Sequence, residues 1–507
     1  MSRGNSNNCM ATPMATRDAH QRWSLNVLST ELLILVLKQL GEVDPASLGA
    51  VRLVSKRLDA SVVPVKYHSM RMTQYVIAPE AEVFFPAGIA NICAHTRHVR
   101  LDSDLNLEHV RRLLSRMKKL SSISWRYVQG DYRKSNFWVP SDIISPQQLR
   151  YVKLYVEDLP LQGFRCKQYN PYLSAIPAEI LVSLRMATPT PPLTARLENL
   201  KTLLLSSPRL ETLRYEDRGQ GTQFSFSRDE RLPPIKELSL RSYDWNHDSD
   251  VVRQHWDFSE IRRLEMVDVP LNQFLNSVSF TDFQHLETLC LDDFSMHLPD
   301  RRQDATRSQY ILIKQIRALV DLRITCHIQS FPVDGILQHA KSLRNLCFRD
   351  YVGFSDEHSR CPTMDIGDLD TMARQLINLH TLELDMDEQL VETNPFLRIL
   401  CNFRQLHTLT LHTQTILDPF KHTDTSVDPD RARVTQMISL LVKGKQGASF
   451  RNIIINVGGW KLIMVRRLSS QWRRQNSRGV YAERCFAMEK GEDGSVAVRE
   501  ELPIGTS

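Results

Sequence analysis

Apolar residues recur in a short, regular pattern through most of this chain. An anchor is followed three and five residues later by two further apolar positions, as in Ile235, Leu238 and Leu240 or Leu286, Leu289 and Leu291. The spacing also opens at Thr96, Leu120, Leu149, Leu181, Leu210 and Ile261, and again at Leu319, Leu343, Leu379, Leu406 and Phe450. Alternation over the last positions of each unit has the two-residue period of a short strand. Between units run stretches at helical period, such as Leu107, Val110, Leu114 and Met117, or Ile366, Leu369, Ala373 and Leu376. Each unit therefore reads as a strand followed by a helix. Anchors lie mostly 24 to 36 residues apart, with a longer gap before Phe450. A unit that small cannot bury its apolar face alone, so the pattern predicts units stacked on one continuous core.

A second signal lies nearer the start. Leu32-Leu33-Ile34-Leu35-Val36-Leu37 is apolar on every face of a helix, which predicts burial on every side. One face would pack within the chain and the other on a partner. Ser29 or Thr30 is placed to cap this helix, Glu31 suits its first turn, and Gly41 is expected to end it. Asp44 is then expected to cap a second helix with Pro45 at its first position, carrying Leu48, Val51, Val54 and Leu58. Pro64 argues against an uninterrupted helix as far as His68.

Leu28, Glu31-Leu32-Leu33, Val36-Leu37, Leu40, Asp44, Leu48 and Val54-Ser55-Lys56-Arg57-Leu58 together resemble an F-box, over about a tenth of the chain. Ser29 stands where that family usually has proline. The resemblance implies docking on a Skp-type adaptor protein and, through it, on a cullin–RING ubiquitin ligase. The implied adaptor-binding residues are Leu28, Glu31, Leu32, Leu33, Val36, Leu37, Leu40, Asp44, Leu48, Val51 and Val54. The repeats resemble the divergent leucine-rich arrays that often follow an F-box, although Phe294 and Asp387 occupy the place of that family's asparagine. Without the resemblance, an ordinary helical hairpin and an unrelated α/β fold with Leu-rich strands remain open.

The fold expected is an α/β solenoid: a small N-terminal helical F-box module, then an irregular leucine-rich-repeat array of strand–helix units. Its divisions are a disordered tail (1–21), the module (22–68), a connector without assigned elements (69–95), the array (96–458) and a C-terminal cap and tail (459–507). Thr188–Leu193 reads as a stiff loop and Gln220–Arg231 as an insertion. Trp460–Trp472 reads as a helix with a basic end, and Val480–Val498 as a hairpin around Asp493-Gly494.

Lys and Arg exceed Asp and Glu by 64 to 58, a basic balance too slight to imply nucleic acid. The run Arg466–Arg474 reads as a solvated basic helix face, with nuclear import or nucleic-acid binding as the alternative. Nine cysteines without a C-x-x-C pair suggest neither a zinc site nor a disulfide framework. With no signal-peptide pattern, spanning apolar run or N-x-Ser/Thr sequon, a cytoplasmic or nuclear protein without a membrane partner is expected. Phosphate-loop, zinc-protease and nucleophile-elbow motifs are absent, so no cofactor or metal is expected and the chain itself is read as non-catalytic.

A solenoid instead offers a surface. The residue between the two aliphatic strand positions points away from the core. Along the array these residues are Arg100, Ser124, Lys153, Arg185, Arg214, Ser239, Glu265, Cys290, Arg323, Cys347, Glu383, Thr410 and Ile454. The basic residues Arg100, Lys153, Arg185 and Arg214 form a candidate substrate face for an acidic or phosphorylated segment, against the simpler reading of a solvated face. The function that follows is a substrate-recognition subunit of an SCF-type ligase with an unknown protein target. The alternative is an interaction scaffold that uses the helical module only for docking.

Overall fold

The computed structural model describes residues 28–128, 140–159, 175–187, 197–216, 222–292, 301–351, 363–387, 392–414, 416, 428–458, 483–491 and 495–501. The tail 1–21, the loop 188–193, Phe294, the basic helix 460–472 with the run to Arg474, and the turn at Asp493-Gly494 lie outside them. The chain forms two compact units, Met1–Val99 with Arg112–Leu120, and Arg100–Arg111 with Ser121–Ser507.

In the smaller unit, α1 (Thr30–Val43), α2 (Ser47–Val51) and α3 (Lys56–Lys66) close around Leu33, Leu37, Leu48, Leu58 and Val62. Ser29 caps α1 by accepting from the Leu32 N–H. Several expectations fail here. The first helix runs through Gly41 to Val43, because Gly41 lets α2 approach: a Cβ there would lie 2.9 Å from Leu48 Cδ1. The second helix does not start at Pro45. Asp44 instead accepts from the Ala46 N–H at 3.0 Å and from the Ser47 hydroxyl, shaping the turn into α2. Leu48 to Leu58 is not one helix either, since the chain turns after Val51 and Ser55 caps α3 from the Leu58 N–H at 3.2 Å. Pro64 sits inside α3, in its last turn, where the missing N–H costs little continuation. The connector carries β1 (Ser69–Arg71) and short helices at Gln74–Ile77, Pro79–Phe84 and Pro86–His95.

The strands that follow are β2 (His98–Asp102), β3 (Ser122–Arg126), β4 (Lys153–Leu159), β5 (Leu181–Met186) and β6 (Thr212–Glu216). Next come β7 (Glu237–Arg241), β8 (Arg263–Val267), β9 (Thr288–Asp292), β10 (Asp321–Cys326) and β11 (Asn345–Asp350). The chain continues with β12 (Thr381–Met386), β13 (Thr408–Gln414), β14 (Asn452–Gly458), β15 (Glu483–Lys490) and β16 (Val496–Glu501). From β3 to β14 each strand pairs in parallel with the next in sequence. The result is an open, mostly parallel sheet with strands in chain order.

Its core follows the repeat. Ile261, Leu264 and Met266 are fully buried, as are Leu379, Leu382 and Leu384, so each anchor fills the space behind its own strand. Helices at Ile366–Gln375 and Thr393–Cys401 bury one stripe each, in keeping with the helical periods between strands. Buried aspartates bond the backbone near the ends of β11 and β12. Asp350 accepts from the Ile328 N–H and Asp385 from the Asp350 N–H, both at 2.8 Å, so neither donor is left unpaired.

Two departures concern unit content. No helix links β6 to β7 over the described residues 222–236; that extended insertion seats Phe224 and Phe226 among Tyr243, His255 and Trp256. Phe224 donates its N–H to the Tyr243 hydroxyl at 2.7 Å, which stitches the insertion to the repeat. The sheet also continues past residue 458. β15 pairs antiparallel with β14, and β16 antiparallel with β15, as the alternation of Val480–Val498 anticipates.

Candidate functional site

Two surfaces, one in each unit, hold the residues singled out in the sequence. On α1, residues a turn apart sort onto two faces. Leu33 and Leu37 are buried, with Leu40 packed beside them, on the face toward α2 and α3. Leu32 (52% exposed), Leu35 (57%) and Val36 (44%) lie on the other face with Val43. Burial on every side therefore does not hold within this chain. Leu48 belongs to the core, Val51 packs against it, and Leu28 is half-buried with its carbonyl accepting from Arg57. Val54 (71%) and its neighbour Leu53 (88%) are open at the turn between α2 and α3. Leu35, Val43 and Leu53 are not among the expected adaptor-binding residues, although helical spacing places Leu35 and Val43 with Leu32 and Val36, and Leu53 adjoins Val54 in the turn.

Glu31 is exposed in the first turn, where its own backbone N–H and the Ser29 hydroxyl hold its carboxyl below the ordinary range. Asp44 is likewise lowered by the Ser47 hydroxyl and the Ala46 N–H. Both carboxylates thus serve the local turns of the module.

The second surface is the open face of the sheet. Register joins Arg185, Arg214, Ser239, Glu265, Cys290 and Arg323 rung by rung. It continues through Cys347, Glu383 and Thr410 to Ile454. The aliphatic spacing thus gives the correct row over ten strands. It fails in β4. Lys153 pairs with Ser122, and Tyr155 pairs with Ser124, so Lys153 sits two residues early, and Tyr155 in turn pairs with Ser183 rather than Arg185. The reason is local: Val152 and Leu154 imitate the aliphatic pair, but a 3-10 turn at Gln148–Arg150 delays the strand and Leu154 and Val156 form the real pair. Register slips again between Val156 and Leu159, where Asp158 takes a positive φ of 56°. Arg100 is also changed by the fold, since it is bound to Glu157 at 2.8 Å. The four-residue basic stripe reduces to Arg185 and Arg214, both exposed, with no ion-pair partner among the described residues.

Toward the C-terminal half the same face is laced with charge pairs. Arg241 meets Glu265, Arg323 lies 3.7 Å from Glu383, and Arg349 lies 3.0 Å from Asp385. His412 Nε2 lies 2.9 Å from Glu383 Oε1, and Asn456 reaches the other ring nitrogen of His412 at 3.4 Å. Burial alone would raise the Glu383 carboxyl, but His412, Arg323 and Arg349 outweigh it and bring it down to about 2. A groove of about 640 Å³ runs over β8 to β12 here, with Glu265, Cys290, Arg323, Cys347 and Glu383 along its floor.

Cys290 and Cys347 flank Arg323 in this row. Burial, with the Glu265 and Asp292 charges, pushes the Cys290 thiol up to about 12, and burial with Glu383 raises Cys347 as well. A nucleophilic cysteine needs the opposite shift, so neither thiol is activated by these surroundings.

Among the described residues, no helix is long and apolar enough to cross a membrane, and no group of three or more His, Cys, Asp or Glu could hold a metal ion. No family model matches the chain, and no curated protein matches it. Among solved structures, the leucine-rich repeat-containing protein LegL7 from Legionella pneumophila is similar at 12% identity and a TM-score of 0.24, over 75% of this chain and 100% of that one. A superposition that loose carries no argument. The repeat register of β5 to β14 is what describes the larger unit as a leucine-rich-repeat-like array of strands and helices.

Proposed function

We propose that this chain is the substrate receptor of an SCF-type ubiquitin ligase. Its helical module docks on a Skp-type adaptor, which brings a cullin, and its open sheet face holds the target protein. The observation that carries this reading is the second apolar face of the module. A three-helix unit with a closed core still turns Leu32, Leu35, Val36, Leu53 and Val54 to water, on the segment that resembles an F-box. Leu32, Leu35 and Val36 share one face of α1, and an exposed apolar helix face is the usual mark of a surface that a partner covers. Ligation chemistry belongs to the partners, and the setting is the cytoplasm or nucleus.

The test uses purified Skp-type adaptor and the full chain. Leu32→Asp combined with Val36→Asp should abolish adaptor binding while leaving the thermal unfolding transition in place. Unchanged binding in that variant overturns the assignment. Adaptor binding that never recruits a cullin points instead to a docking scaffold without ubiquitination.

A further inference from the structure

Arginines are common on the open face of the sheet, and most of them are neutralised. Arg100, Arg126, Arg241, Arg323 and Arg349 each reach a carboxylate, respectively Glu157, Asp102, Glu265, Glu383 and Asp385. Among the described residues, Arg185 and Arg214 do not. They are direct register partners on β5 and β6, with backbones about 4.8 Å apart. Both are exposed, and like charges side by side on neighbouring strands repel. Lys153 and Arg263 also lack ion pairs among the described residues, but neither has a second cation in register.

The neighbouring carboxylates do not serve this pair. Glu157 is held by Arg100 and by the Ser124 hydroxyl, and Glu265 by Arg241. Asp158 lies in the bulge of β4 near β5 but makes no ion pair with Arg185. On the next rung, Ser239 pairs with Arg214, and its hydroxyl is buried without a hydrogen-bond partner. Three adjacent rungs thus hold two planar donor forks and one unused hydroxyl. Guanidinium forks match the paired oxygens of carboxylate and phosphate, and flanking hydroxyls add a further donor.

We propose that Arg185, Arg214 and Ser239 form an oxyanion site that clamps a carboxylate or phosphate group on an extended segment of the target protein. The site deepens the receptor reading, because it names the chemistry by which the open face recognises its substrate. The two arginines provide the charge and orientation, and Ser239 supplies a third bond once the anion is seated.

The experiment immobilises the full-length chain and applies three degenerate peptide pools, with a central phosphoserine, a central Glu-Glu or a central Ser-Gln. At low salt an anionic pool should be retained at least tenfold over the neutral pool, and the better retained anion identifies its source. Arg185→Glu with Arg214→Glu should remove the preference, and the milder Arg185→Gln with Arg214→Gln should remove most of it. Ser239→Ala should weaken retention about threefold. Arg262→Glu, which breaks an exposed ion pair with Glu287, should leave the preference unchanged. Equal retention of all pools, or a preference that survives both double variants, overturns the proposal. Adaptor binding measured on the same proteins separates the two readings: peptide preference without adaptor binding sinks the ligase reading and leaves the oxyanion site standing.

Discussion

Glu383 on β12 and His412 on β13 meet at 2.9 Å, two residues out of register on the open face. The imidazole, with Arg323 and Arg349, keeps the partly buried carboxylate ionised, so this part of the face is fixed by charge as well as by backbone pairing. Because the folded-state value of Glu383 is depressed from 4.5 to about 2, its contribution is present above about pH 4.5 and is lost as pH falls toward 2. Its size is on the order of 2–3 kcal/mol. Denaturant titrations should therefore show Glu383→Gln to be less stable than the parent at pH 6, with the gap narrowing below pH 4.5. A gap independent of pH contradicts the charge account.

Core and surface of the helical module should separate cleanly. Leu33→Ala or Leu37→Ala empties space in the closed core and should cost about 2–5 kcal/mol. Changes at Leu35 or Leu53, which are more than half exposed, should alter stability by less than about 0.5 kcal/mol. Urea unfolding of the four single variants checks this; equal losses at all four positions would show that the exposed face is also core.

Gly447 has φ of +77°, and a Cβ there would lie 2.5 Å from the Arg404 carbonyl oxygen. The Ala448 N–H donates to that same carbonyl at 2.8 Å, so the close approach is built into the turn before β14. Gly447→Ala should destabilise by at least about 1 kcal/mol, through strain at φ and through the displaced carbonyl. A calorimetric midpoint equal to the parent's would refute this role.

Cys290 and Cys347, with thiols raised by burial and nearby carboxylates, should resist alkylation at pH 8 in the folded protein. Mass-spectrometric mapping should find both modified only after denaturation. Rapid labelling of Cys290 in the native protein would contradict this.

How much of this was legible beforehand depends on the residue. The row from Arg185 to Ile454 could be read because a buried aliphatic pair fixes which side chain turns outward, and a two-residue period leaves no freedom. Lys153 misled because Val152 and Leu154 obey the same pattern two residues too soon, and only the turn at Gln148–Arg150 tells the two registers apart. The loss of Arg100 from the basic stripe depends on Glu157, 57 residues away, a pairing that local spacing cannot contain. In α1 the apolar run gives no direction. Its division into Leu33 and Leu37 inside, and Leu32, Leu35 and Val36 outside, is set by where α2 and α3 lie. Gly41 and Pro64 show the limit of punctuation. The first serves close packing rather than a stop, and the second is tolerated where α3 is already ending.

The most direct test of the receptor account is the composition of the complex recovered with the full-length chain, compared with its Leu32→Asp, Val36→Asp variant. The account predicts a Skp-type adaptor and a cullin with the parent chain and neither with the variant, both proteins being equally folded. Recovery of the adaptor and cullin with both chains, or with neither, would contradict it.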